Sequence, residues 1–238
     1  MRLIRIIRFG EFFIGRPDPK YDEYVYFPKQ TGINNLDFEF YRAASATFGD
    51  FSTTMADFGN MLQYTQDDYD YENQAVTFLD NHDVTRVASI LSNEKHLPLI
   101  YAMCFGMPGI PCVYYGSEWG EKADKSEGDP ALRRCFDAPV FNELSEWISR
   151  LAEAKKHSAA LNYGDFRSVL LTNRQCIFER KTDGERVLVA INADGEPFTA
   201  HFDAGCGTAV DLITGQNHDF GGGSELPPYS AYFWKMER

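Results

Sequence analysis

Up to about residue 155, short apolar runs rich in β-branched and aromatic residues alternate with longer stretches whose apolar positions recur at helical spacing. The runs at 3–9, 35–40, 75–79 and 110–115 predict strands, and each passes into polar or charged residues at its end. Residues 48–64 and 96–107 carry helical spacing. Residues 139–157 predict an amphipathic helix ending in Lys155, Lys156 and His157, cations suited to the negative end of a helix dipole. Strand, loop and helix in repetition imply an α/β architecture. After Tyr163 the texture changes to short alternating strands at 167–171, 176–180, 187–191, 198–202, 209–213 and 231–234, separated by Gly, Asn and Asp. That is the pattern of an all-β antiparallel sandwich. A boundary near residue 163 divides the chain into 1–162 and 163–238.

Composition narrows the function classes. With 44% apolar residues in 238, the chain can bury a substantial core. Its 23 basic and 35 acidic residues give a formal charge of -12, which repels a phosphate backbone and argues against a nucleic-acid partner. The opening MRLIRIIR lacks an uninterrupted apolar run, so neither a signal peptide nor a membrane span is expected. Cys104, Cys112, Cys135, Cys176 and Cys206 are odd in number and show no metal-ligand spacing, so they read as free buried thiols. Free thiols and the missing leader favour a cytoplasmic location, although localisation stays open if the true N-terminus lies elsewhere. No GxGxxG, Walker loop or clustered His ligand set is present, which sets aside a nucleotide or metal enzyme on a doubly wound sheet. No metal site and no cofactor are expected in this chain.

Aromatic residues make up 15% of the sequence, and their flat apolar faces with polar tips suit either core packing or stacking on sugar rings. Four polar clusters follow the predicted strands. Glu11 sits between Gly10 and the pair Phe12-Phe13, where apolar rings would raise a carboxyl pKa as a general acid requires; a surface glutamate at a strand end is the alternative. Asp80-Asn81-His82-Asp83 follows the strand at 75–79, with Arg86 close behind. Tyr114 and Tyr115 close the strand at 110–115 ahead of Glu118. Asp129 and Arg133 stand four residues apart, able to form a bidentate pair, to share the hydroxyls of one sugar, or to be an exposed ion pair. On barrel-like α/β folds functional groups gather at the C-terminal ends of strands, so the clusters are expected to face one cleft.

In order along the chain, GEFFIG, TGINNLDFEFY, QAVTFLDNHD, GIPCVYYGSE and GDPALRR resemble strings of the α-amylase family, glycoside hydrolase family 13, most closely its cyclodextrin glucanotransferase and maltogenic amylase branch. The resemblance implies the C-terminal half of a (β/α)8 TIM barrel, strands five to eight, followed by the family's C-terminal β domain. It implies an α-1,4-glucan substrate such as starch, maltodextrin or cyclodextrin, with Glu11 as general acid/base and Asp83 as the carboxylate that steadies the oxocarbenium-like transition state. His82 would donate to sugar hydroxyls beside Asn81. Phe13 would line the acceptor side, Tyr115 would wall the cleft, and Asp129 with Arg133 would hold a donor-side sugar.

One departure carries weight. The family's nucleophile is an Asp in a D-x-x-R-x-D string upstream of the general acid, and only ten residues precede Glu11. A retaining mechanism needs a second carboxylate roughly 5 Å from the first. The isolated chain is therefore expected to be inactive, with the first barrel strands and any calcium ligands belonging to a longer parent. Apolar positions such as Leu3, Ile7, Val76 and Phe78 would lack an opposite layer, which implies a homodimer or association with the missing half. The alternatives are a 4-α-glucanotransferase parent, with Phe12 and Phe13 excluding water or merely packing, and a non-catalytic glucan-binding module. Tyr229, Tyr232, Phe233 and Trp234 are expected to pack the sandwich and not to form a starch site.

Overall fold

The computed structural model describes residues 8–11, 21–68 and 75–236, so Leu3, Ile7 and Phe13 lie outside the described residues. The chain runs β1 (Phe9–Gly10), α1 (Tyr21–Thr31), β2 (Asn34–Asn35), α2 (Phe38–Phe48), α3 (Met55–Asp68), β3 (Val76–Phe78), α4 (Val87–Ile90), α5 (Leu97–Gly106), β4 (Ile110–Cys112), α6 (Asp129–Leu132), α7 (Glu143–Lys156) and α8 (Ala159–Tyr163). It continues as β5 (Asp165–Leu171), β6 (Gln175–Lys181), β7 (Arg186–Asn192), β8 (Phe198–Ala200), β9 (Thr208–Asp211), β10 (Asn217–Asp219), β11 (Ser224–Leu226) and β12 (Ser230–Met236).

β1 pairs in parallel with β2, Leu36 bridges to Val76, and β3 pairs in parallel with β4. The amide of Leu36 donates to the carbonyl of Gly10 at 3.1 Å, and that of Asp37 to Val76 at 2.9 Å. The parallel strands therefore lie side by side in chain order with helices between them, the arrangement of successive βαβ units. Their C-terminal ends share one rim.

Two predicted elements are corrected. The expected strand 35–40 ends at Asn35, because the Asp37 carboxylate accepts the Phe40 amide at 2.9 Å and caps α2. Phe38–Phe40 favour strands by propensity, but the cap turns them into a first helical turn. The expected helix 48–64 is broken between α2 and α3. Phe51 adopts a left-handed φ of 54°, held by the Arg174 guanidinium 3.4 Å from its ring centroid and by an edge contact with His96 at 4.8 Å. The expectation that Val76 and Phe78 lack a covering layer also fails. Both are buried, and Phe78 packs edge-on to Phe38 and stacks on Tyr41 of α2.

α5 is apolar all round, and its residues from Leu99 to Gly106 are buried. Such a helix has to be enclosed on every side. The Cys104 thiol points to Thr77 of β3, while a Cβ on Gly106 would lie 3.0 Å from Phe178 and 3.1 Å from Val189. The antiparallel strands reach this close because that position has no side chain.

Those strands form a six-stranded sheet in the order β10-β9-β12-β7-β6-β5, with β11-β8 as a separate pair. Alternation along each strand sends Phe178, Val189, Ile191 and Phe233 to the core shared with α5. It sends Ile177, Leu188, Ala190 and Trp234 to a second core closed by Ala200 and Leu226. Phe233 and Trp234 thus pack opposite faces of the six-stranded sheet. β10 and β11 were not legible in the sequence. His218 of β10 nonetheless stacks on Trp234 with centroids 4.1 Å apart.

The last turn of α5 presents unpaired carbonyls, and two buried cations meet them. Lys155 Nζ donates to Phe105 at 3.2 Å, Met107 at 3.0 Å and Leu161 at 3.0 Å. Arg180, fully buried, donates to Gly106 and Gly164, each at 2.8 Å. The sequence placed Lys155 at the end of its own helix dipole; instead it serves the end of α5. Burial, with Arg180 nearby, lowers the Lys155 pKa to about 7.

The thiols are free, but only Cys104 and Cys176 are buried, their pKa values pushed up to about 12. Cys112 and Cys135 are exposed and Cys206 is half-buried, so the reading of five buried thiols is corrected. Among the described residues no helix is long and apolar enough to cross a membrane, and no group of three or more His, Cys, Asp or Glu could hold a metal ion.

Because the Lys155 pKa is depressed on folding, the folded state carries a cost while the amine is charged. That cost is relieved as pH rises from about 7 toward the free-lysine value. Lys155→Met is expected to lower stability by roughly 2–4 kcal/mol by orphaning three carbonyls, and to remove the part of the pH dependence between 7 and 10 that comes from this group. Urea unfolding across that range, wild type against variant, checks both.

Candidate active site

The rim is organised by Asp80, the residue after Leu79 at the end of β3. Its carboxylate is buried and accepts the Val87 amide at 2.8 Å and the Ser117 hydroxyl at 2.7 Å. Burial raises its pKa, while those hydrogen bonds and the positive charge of Arg86 pull it back. Arg86 is fully buried. It donates to the carbonyls of Tyr115 at 2.7 Å and Leu132 at 3.0 Å and to the Ser117 hydroxyl at 2.9 Å, and its guanidinium lies 4.2 Å from the Tyr114 ring centroid. The Tyr101 hydroxyl donates to the Ser117 carbonyl at 3.1 Å. Loops after β3 and β4 are thereby fixed to each other.

On this base Asn81, His82 and Asp83 form a turn. The Asn81 side-chain oxygen accepts the Asp83 amide at 2.8 Å, which aims the Asp83 carboxylate outward. The Asn81 side-chain nitrogen is buried without a partner among the described residues. His82 Nε2 stands 3.2 Å from Asp83 Oδ2, and Arg133 donates to Asp83 Oδ1 at 2.8 Å. Each side chain is between a third and a half exposed.

Asp129 and Arg133 do not form the bidentate pair that was one reading. Their nearest atoms are 3.8 Å apart; Arg133 is spent on Asp83, and Asp129 pairs with Lys125 at 2.9 Å. Tyr115 is exposed on the rim and packs edge-on to Tyr114 at 4.6 Å. Burial, with the neighbouring Tyr115, raises the Tyr114 pKa to about 12, which keeps its hydroxyl protonated. Glu11 ends β1 on the same rim. With strands about 4.8 Å apart, the two-strand offset from β1 to β3 separates the bases of Glu11 and the Asn81 turn by roughly 10 Å. Glu11 is exposed, and its neighbours Phe12 and Phe13 lie outside the described residues.

Compared with protein families, residues 6–186 match the family described as alpha amylase, catalytic domain. The chain belongs to the α-amylase family. A cyclomaltodextrin glucanotransferase of Paenibacillus macerans is 32% identical over 187 residues, covering 79% of this chain and 26% of that protein. An alpha-amylase of Niallia circulans is 33% identical over 188 residues, covering 79% of this chain and 35% of that protein. The crystal structure of a Gamma-CGTase from alkalophilic Bacillus clarkii matches with a TM-score of 0.83 at 26% identity, over 97% of this chain and 36% of that one. The chain thus spans about a quarter to a third of the length of these relatives. The family's fold is the α-amylase-type (β/α)8 barrel with a sheet-rich C-terminal part, and its members are glycoside hydrolases and transglycosylases of starch-type glucans.

In this α-amylase-family chain the sequence brought forward the exposed partners and passed over those beneath them. Asp80, Ser117 and Tyr114 lie within the strings that carry the family resemblance, but nothing local in those strings marks them as the buried supports. Asp80 directly follows an apolar strand, where the chain is still buried, while Asp83 lies in the turn beyond it.

Arg86→Met is expected to destabilise the fold by roughly 3–5 kcal/mol, because it leaves the buried Asp80 without a counter-charge and two loop carbonyls without a donor. Denaturant titration of the variant checks the magnitude.

Proposed function

We propose that residues 1–162 are the second half of a (β/α)8 catalytic barrel, that residues 163–238 are its C-terminal β-sandwich domain, and that the rim binds and processes an α-1,4-glucan. The carrying observation is the turn Asn81-His82-Asp83. It presents a carboxylate, between a third and a half exposed, gripped by Arg133 and His82.

In this reading Asp83 supplies fixed negative charge for a sugar ring that becomes positive as the glycosidic bond breaks. Arg133 orients that carboxylate and His82 donates to a hydroxyl. Glu11 protonates the leaving oxygen and later draws a proton from the incoming water or sugar. Tyr115 offers an exposed ring as a wall. Asp129, held by Lys125, supplies an acceptor further along the glucan. Water as acceptor makes the reaction hydrolysis, and a second sugar makes it glucanosyl transfer. The D-x-x-R-x-D string is not among these 238 residues, so the chain by itself acts as a glucan-binding unit.

Purified chain is expected to release no reducing sugar from maltoheptaose, while calorimetry reads binding that Asp83→Ala weakens roughly tenfold. Turnover that vanishes in Glu11→Gln would instead show that another carboxylate completes the reaction. Binding unaffected by Asp83→Ala and Asn81→Ala would sink the assignment of the site.

The edges of the parallel run also bear on partners. Phe9 of β1 is 54% exposed, and among the described residues β1 and β4 each pair on one side only. These edges suit a second copy or the remainder of the barrel. Sedimentation is expected to give a dimer mass at micromolar concentration; a monomer throughout would dismiss self-pairing.

A further inference from the structure

A second concave surface lies away from the residues assigned above. It is a groove of about 630 Å³ between the start of α5, the 3-10 turn Ser117–Trp119 and the start of α7. Leu97, Leu144, Trp119 and Trp147 line it. The Trp147 indole is held by a hydrogen bond, and Trp119 is tied down through its backbone and packs edge-on to Phe136. The Trp147 ring nitrogen donates to the Pro98 carbonyl at 2.9 Å, and the Trp119 carbonyl accepts from Asn142 at 3.0 Å. The adjoining Glu118 carbonyl accepts from Ser145 at 2.9 Å, so the turn is tied to the first turn of α7. Anchored platforms lose little freedom when a ligand stacks on them.

The charges at the rim select the ligand. Lys122 is closed onto Glu94 at 2.6 Å, which leaves Glu143 as the uncompensated charge of the lining. In a chain of net charge -12 this repels anions. An apolar floor with a carboxylate edge fits a neutral molecule that has one C–H-rich face and hydroxyl donors at its margin, which describes a glucose ring. The volume falls within the range of small-molecule sites and accommodates a short oligosaccharide segment.

A row of aromatic rings runs from the candidate active site to this groove. Tyr114 meets Tyr115 at 4.6 Å, Tyr115 meets Phe136 at 5.8 Å, and Phe136 meets Trp119 at 5.1 Å. We propose that the groove between Trp119 and Trp147 is a second α-glucan site, distinct from the Asn81-His82-Asp83 turn and reached along this row. The choice of α-glucan rests on the function proposed above; the existence of a neutral-carbohydrate site rests on the groove.

The three tryptophans make the test direct. Trp234 is 1% exposed in the second core, so ligand-dependent changes in tryptophan emission report on Trp119 and Trp147. Titration of the full chain with maltoheptaose is expected to give a saturable emission change. Trp119→Ala is expected to weaken it roughly tenfold, the upper end of what one aromatic contact contributes, and Trp147→Phe to keep binding within a few-fold while removing part of the signal. Asp83→Ala should leave the emission titration in place, which separates this site from the other. Calorimetric binding lost in Asp83→Ala, with flat tryptophan emission, would overturn the groove and leave the active-site reading standing. An emission change that persists when calorimetric binding no longer depends on Asp83 would do the reverse. An equal response to cellopentaose would overturn the α-linked assignment. A flat titration of both Trp119→Ala and a circular-dichroism-verified Trp147→Phe against an equally flat wild type would end the proposal.

Discussion

The structure depends on the way the C-terminal end of α5 is satisfied. A helix that is apolar on every face can be buried only if its last carbonyls are also met away from water, and each one left unmet would cost on the order of 1–3 kcal/mol. Lys155 from α7 and Arg180 from β6 meet them. Burying two like charges is expensive, and carbonyl dipoles at the negative end of a helix offset part of that cost. The same two side chains reach Leu161 and Gly164 in and just after α8. The parallel strands, the helices and the antiparallel sheet are therefore joined through one polar knot inside an apolar core.

A second knot governs the rim. Asp80 receives the start of α4 and the Ser117 hydroxyl, while Arg86 holds the backbone at Tyr115 and Leu132. The side chains proposed for the site, Asn81, His82, Asp83, Tyr115 and Arg133, all stand on segments that this buried network fixes. An exposed turn built of polar residues would otherwise sample many geometries. Here its backbone is tied to that network at Asp80 and Arg86.

Much of this was legible. The alternation after Tyr163 gave the long strands, and strings at strand ends gave the rim residues, because both follow from local periodicity and local polarity. What escaped depends on a local capping choice, on contacts distant in sequence and on the shortness of some strands. Asp37 capping α2 outweighs the strand propensity of Phe38 and Phe40. Lys155 looks like an ordinary C-terminal cation until α5 is packed beside it. Arg133 looks paired with Asp129 at helical spacing, yet Asp83, fifty residues earlier, is the closer carboxylate. Short edge strands such as β10 have too few residues to show a period at all.

α7 begins and ends in these arrangements. Its N-cap, Asn142, holds Trp119 and its last turn carries Lys155. A helix advances about 100° and 1.5 Å per residue, so the two ends are locked in angular phase as well as in distance. One residue gained or lost inside α7 would swing the tryptophan groove around the axis relative to the α5 knot, and no relaxation of side chains could restore both. The helix therefore acts as a keyed shaft: its sequence can vary on the exposed side, but its length is fixed by the two ends it has to satisfy together.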